Sequence, residues 1–150
     1  MEYSHNDKGY LGKGYYFTAQ EKLAKKYAEV SSRPRQEGEI LEPYVYAVYL
    51  KIENPYYAGK TEYTKEMSTY EENIYKRETS HGRPNLERYE KARADAHREM
   101  LEHFGYDGAI GESRGKEGVE YVAFNPTQIK SIYNTTWNPQ ESDIMMSQAI

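Results

Sequence analysis

At 150 residues the chain has the length of one ordinary domain with a single core. Its 24 acidic against 20 basic side chains leave a formal charge of −4, which disfavours nucleic acid as a primary partner. The absence of cysteine excludes a disulfide framework, a thiolate nucleophile and a Cys-ligated zinc site, and 17 tyrosines carry much of the apolar character.

The opening MEYSHNDKGY has neither a basic region nor an apolar core, so it does not read as a secretory signal. No stretch approaches the roughly 18 apolar residues of a membrane span. A protein of the cytoplasm, its own or a host's, is the expectation. Residues 1–14 read as loop, with a very short strand at residues 2–5. Tyr15, Tyr16 and Phe17 form an aromatic run suited to a strand. Thr18 and Glu21 then fit a capping box, opening a helix to about Val30 with Leu23, Ala24, Tyr27 and Ala28 on one face.

Residues 44–52, YVYAVYLKI, predict the strongest strand in the chain, with Tyr44, Tyr46 and Tyr49 as packing residues and Asn54-Pro55 as its end. Residues 60–83 are polar and predict only a short helix after Ser68. Residues 85–104 predict a long helix, with Leu86, Tyr89, Ala96, Met100 and Phe104 on its apolar face and Gly105 as its stop. A short strand between Gly105 and Gly111, a polar loop at 112–118, a strand at 119–124 and a last strand at 128–133 follow. The tail from Asn134 is turn-rich. Strands and helices mixed without a βαβ rhythm indicate an α+β fold.

Three familiar motifs fail. Gly9-Tyr-Leu-Gly-Lys-Gly14 has two residues where a phosphate loop needs four, and it precedes a strand. Gly12-Lys-Gly14 is followed by Tyr15, Tyr16 and Phe17, without the third glycine of a dinucleotide fingerprint. His97 and His103 are six apart, whereas paired helical metal ligands want three or four, so they read as solvated helix histidines and no metal site is expected.

One constellation survives. Cleaving the glycosidic bond of NAD⁺ asks for aromatic faces to hold a flat, departing nicotinamide and for a carboxylate to stabilise an oxocarbenium-like ribose. Glycines are needed where backbone approaches a ligand, and neither metal nor thiol is required. Gly12, Gly14, Tyr15, Tyr16, Tyr27 and Glu120 supply these parts.

The residues around them resemble a known family. GKGYYF at 12–17, with the capped helix bearing Lys-Lys-Tyr27-Ala, looks like the second conserved block of the poly(ADP-ribose) polymerase and diphtheria-toxin branch of ADP-ribosyltransferases. EYVAFNPTQIK from Glu120 looks like the strand carrying the glutamate of that branch's His-Tyr-Glu triad. VYAVYLKIENP, FGYDGAIG and WNPQESDI are similar to ADP-ribosyltransferase-like domains of phage and mobile-element proteins. The resemblance covers most of residues 9–145, least at 60–100.

The resemblance implies that Tyr16 lies against nicotinamide, that Tyr27 closes the other face, and that Glu120 holds the ribose 2′-hydroxyl. Gly14 would be a close-approach position. Residues 112–118, with Glu117 and Gly118, would be the substrate-recognition loop. Arginine-specific relatives carry Glu or Gln where this chain has Gly118, so arginine is not the favoured acceptor. Relatives also open with a His-Gly strand. Here His5 stands alone, either ending a shortened first strand or marking that strand's absence from this chain.

The expected unit is an ADP-ribosyltransferase-like domain over residues 1–133, with a variable helical insertion at 60–104 and a tail at 134–150. The leading expectation is mono-ADP-ribosyl transfer from NAD⁺ to a protein or other macromolecule. A silent module acting through protein contacts and an NAD⁺ glycohydrolase are the alternatives.

Overall fold

The computed structural model describes residues 5–6, 8–31, 45, 47–82, 85–112 and 118–133. Two short strands, GYYFT and VEYVA, build the centre of the fold. Strand β2 (Gly14–Thr18) and strand β6 (Val119–Ala123) pair antiparallel, with Tyr15 opposite Ala123, Tyr16 opposite Val122 and Thr18 opposite Glu120. Strand β1 (His5–Asn6) adds at one edge, and β5 (Gly108–Glu112) and β4 (Pro55–Tyr57) at the other, in the order β1-β2-β6-β5-β4. Strands β3 (Val48–Leu50) and β7 (Ile129–Ser131) form a separate antiparallel pair.

Because successive strand residues face opposite ways, β2 and β6 feed two cores. Tyr16 and Val122 pack with Leu11, Met100, Leu101 and Phe124, under helices α2 (Lys65–Thr79) and α3 (Leu86–His103). Tyr15, Phe17 and Ala123 pack with Ile129, Val48 and Leu50 of the two-stranded sheet. The result is an α+β fold, helices on one face and a small second sheet on the other, as the sequence predicts.

Several elements depart from expectation. The strand over residues 44–52 is described only at Val48–Leu50, residues 44 and 46 lie outside the described part, and Tyr49 is 61% exposed rather than packed. Pro55 begins a strand instead of ending one. The Asp107 carboxylate takes the Glu53 and Asn54 amides, each at 2.8 Å, and turns the chain so that β4 runs parallel to β5. Proline is tolerated there because the first residue of an edge strand needs no N–H. A parallel pair therefore exists after all, joined through α2 and α3.

Helix α2 is 15 residues long where a short helix is predicted. Thr64 caps it by accepting from the Met67 amide at 3.1 Å, and only Met67 and Ile74 are buried on it, which is why its polar sequence hides it. Helix α3 follows the prediction, capped by Asn85 and Phe104. Its Ala96 and Met100 are buried, but Leu86 is 74% and Tyr89 40% exposed, and the Tyr89 ring leans on Tyr75 of α2.

The FNPTQ segment after β6 is a structural knot. Gln128 accepts from the Asn125 amide at 2.8 Å through Oε1 and donates through Nε2 to the Lys51 and Asp107 carbonyls at 3.0 and 2.8 Å. One side chain thereby joins three connections around the sheet. No helix among the described residues is long and apolar enough to cross a membrane.

Candidate functional site

Glu120 is the second residue of β6, and the backbone pairs it with Thr18. Alternation along β6 puts it on the same face as Val122, and so on the face that carries Tyr16. Tyr16 and Glu120 are diagonal neighbours across the β2–β6 ladder, a relation that separates such residues by about 7–8 Å. Glu120 is 9% exposed, so the residue sits largely out of water, where charge interactions are stronger than at the surface.

The Tyr16 ring is half-buried and its hydroxyl is committed to backbone. It donates to the Gly12 carbonyl at 2.6 Å and accepts from the Leu11 amide at 3.0 Å. The ring lies so close against Gly9 that a side chain at position 9 would collide with it. Gly12 has φ of +103°, in the region that favours glycine, and a Cβ there would sit 3.4 Å from the Arg98 amide nitrogen. Gly14 is a close-approach glycine, and what approaches it is β6: a Cβ would lie 2.7 Å from Val122 Cγ1 and 2.8 Å from the Ala123 carbonyl oxygen.

His5 pairs with Tyr15 in the β1–β2 ladder, one residue out of step with the alternation that joins Tyr16 to Glu120. Its side chain, like that of Tyr27 on helix α1 (Glu21–Ser31), lies outside the described part, as does Glu117. Thr18 does not form the expected box with Glu21. Its hydroxyl accepts instead from the Gln20 amide at 3.2 Å, which sets the turn between β2 and α1, while Glu21 pairs with Lys25 at 3.0 Å.

That turn places Gln20 over the start of β6. Its carboxamide carbon and oxygen lie 2.9 Å from where a Cβ of Gly118 would stand. Gln20 also lines a cavity of about 700 Å³ along α1, with Lys22, Leu23, Lys25, Lys26 and Glu29. Gln20 therefore touches both the residue before β6, two positions from Glu120, and this cavity. Sequence spacing could not show it, because Gln20 and Gly118 meet only through the β2–β6 pairing.

A second polar cluster lies between the helices. His97 is not a solvated helix histidine: its side chain is 18% exposed, and its Nδ1 bonds the Glu71 carboxylate at 3.0 Å. Glu71 also accepts from the Tyr63 hydroxyl. Burial pushes the Glu71 carboxyl up, but the bonds from His97 and Tyr63, with the His97 and Arg93 charges, hold it below the usual carboxylate range. Burial and the bond to Glu71 push the Tyr63 hydroxyl up. His97 packs edge-on against Tyr56, and its ring backs Gly12. His103 is exposed and stacks on Tyr70 with centroids 4.0 Å apart. This cluster escapes sequence reading because Glu71 sits on the helix that polarity conceals.

A small α+β sandwich, with a buried glutamate on a late strand and the tyrosine of a glycine-flanked strand beside it, is an ADP-ribosyltransferase-like domain. Residues 1–138 match the family model described as ADP-ribosyltransferase in polyvalent proteins, and the chain belongs to that family. Neither the curated proteins nor the solved structures give a match.

Proposed function

We propose that the domain is an NAD⁺-dependent mono-ADP-ribosyltransferase acting on a protein or other macromolecule. The observation that carries this reading is the burial of Glu120 on the face of β6 it shares with Tyr16, next to the turn that leads into the α1 cavity. The donor set fits NAD⁺: the carboxylate can accept from a ribose hydroxyl, and the cavity volume lies within the range of small-molecule sites. Bound NAD⁺ supplies an ADP-ribosyl group whose glycosidic carbon gains positive charge as nicotinamide departs.

Glu120 offsets that charge from a site largely shielded from water, where a fixed carboxylate need not reorganise. Tyr16 contributes its ring, while its hydroxyl holds the Gly9–Gly12 turn in place. The likeness of its helix to the family's second conserved block supports Tyr27 as the opposite aromatic face. The transferring step is helped by holding donor and acceptor together.

The out-of-step pairing of His5 favours a second reading, a module that keeps the fold and acts through protein contacts. Incubation with labelled NAD⁺ and a lysate separates the readings. Transfer by the wild type that falls about 100- to 1,000-fold in Glu120→Gln supports the transferase. Free ADP-ribose without transfer indicates a glycohydrolase. No nicotinamide release and no NAD⁺ binding by the wild type leaves the silent module.

A further inference from the structure

Helices α2 and α3 are bridged by charge at more than one level. The Glu72–Arg93 and Arg77–Glu99 pairs, at 3.2 and 3.1 Å, have side chains at least 44% exposed, where an ion pair contributes little. The Glu71–His97 pair differs, because its side chains are only 12% and 18% exposed. A shielded bond to a carboxylate is stronger than one in water and holds its ring in one orientation. Tyr63 donates to the same carboxylate, and Tyr56, 5% exposed, packs edge-on against the imidazole.

What that imidazole faces is the turn before β2. A Cβ at Gly12 would lie 3.5 Å from His97 Cδ2, ordinary contact distance, so the ring backs Gly12. The next amide, Lys13, donates to the Ala94 carbonyl at 3.1 Å, and Lys13 Nζ reaches Asp95 at 3.6 Å, both on α3. The same turn touches both site candidates. It holds the Tyr16 hydroxyl through Leu11 and Gly12. The Leu11 side chain, 1% exposed, comes within 2.9 Å of where a Cβ of Gly111 would stand. Gly111 is the cross-strand partner of Glu120, and such partners point to the same face. Leu11 thus fills the place beside Glu120 that Gly111 leaves open.

Resting on the transferase reading, we propose that Glu71 and His97 are positioning residues: the pair anchors the Gly9–Gly14 turn on α3, and the turn sets Tyr16 and Glu120 for the reaction. A site is only as well placed as the side chains that support it. A small displacement passed through the turn costs reaction geometry more than donor affinity.

The test uses the full chain with Glu71→Gln, His97→Phe and, for comparison, Arg77→Gln from an exposed bridge. Amide exchange is read at Leu11 and Lys13, with the Lys51 amide, bonded to the Gln128 carbonyl beside the second sheet, as internal reference. Leu11 and Lys13 should exchange about tenfold faster in both variants of the pair, and Lys51 at the wild-type rate. Nicotinamide release from NAD⁺ should show kcat lowered about tenfold with KM within about threefold of wild type, while Arg77→Gln matches wild type in both. A merely structural pair would lower the melting temperature and leave the kinetics of the folded protein unmoved. Unchanged exchange at Leu11 and Lys13, or faster exchange with wild-type kcat, overturns the proposal. Where His97→Phe does not fold, the isosteric Glu71→Gln decides. A wild type that releases no nicotinamide fails as a transferase, and the exchange rates then judge the anchoring by themselves.

Discussion

The Tyr16 hydroxyl donates to the Gly12 carbonyl at 2.6 Å, and the same oxygen accepts from the Leu11 amide. A strand residue on the face of Glu120 thereby ties down the glycine turn that precedes its own strand. His97 backs that turn from α3, so the turn is held from two sides.

Tyr16→Phe keeps the ring and removes both bonds, leaving the amide of buried Leu11 and the Gly12 carbonyl without this partner. The expected loss is about 1–2 kcal/mol, seen as a lower urea midpoint with an unchanged slope. An unchanged midpoint would show that water replaces the hydroxyl at no cost.

Gly14→Ala places a methyl against the Ala123 carbonyl oxygen and Val122 at 2.8 and 2.7 Å, and backbone cannot swing aside. The change should destabilise the domain by about 1–3 kcal/mol, as overpacking does. Gly118→Ala meets only the movable end of Gln20 and should stay within about 0.5 kcal/mol of wild type. Thermal melts of the two side by side decide it, and equal melting temperatures would contradict the packing described here.

Asp107→Ala removes the carboxylate that turns the chain into β4 through two 2.8 Å bonds. A loss of about 1–2 kcal/mol is expected. Hydrogen exchange supplies the local readout, since the Ala58 amide, bonded to the Ile110 carbonyl at 2.8 Å, should exchange faster once β4 is loosened.

Glu71 sets a pH dependence with a definite sign. Its carboxyl in the folded chain is held below the usual range, chiefly by His97 and Tyr63 acting against burial. The unfolded state therefore binds more protons than the folded state in this window. The stabilisation is complete above the unfolded value, about 4.3, and is lost as pH falls through the lower folded value. The stability advantage of wild type over Glu71→Gln should accordingly shrink below about pH 4.3. A pH-independent difference from pH 7 to pH 3 would remove Glu71 from the acid response.

Local signals were sufficient wherever a short stretch decides its own conformation. The aromatic run at 15–17, the helix over 85–104 with Gly105 as stop, and the separate strands at 119–124 and 128–133 all correspond to observed elements. Periodicity failed on α2, where only two residues are buried, and at Leu86 and Tyr89, which lie on the first turns of α3 and stay exposed. It failed again at Pro55, whose conformation is set by an aspartate far along the chain.

The amino-acid sequence by itself determined the family likeness, the α+β class and the identities of Tyr16 and Glu120 as site candidates. Tertiary structure alone decided that these two share a face, that His5 falls out of step with them, that His97 is drawn inward by Glu71, and that Gln20 reaches Gly118. The physical reason is that propensity and capping act within a few residues. Register and burial are chosen by which apolar faces can be covered together, and that choice is made between segments far apart in the chain.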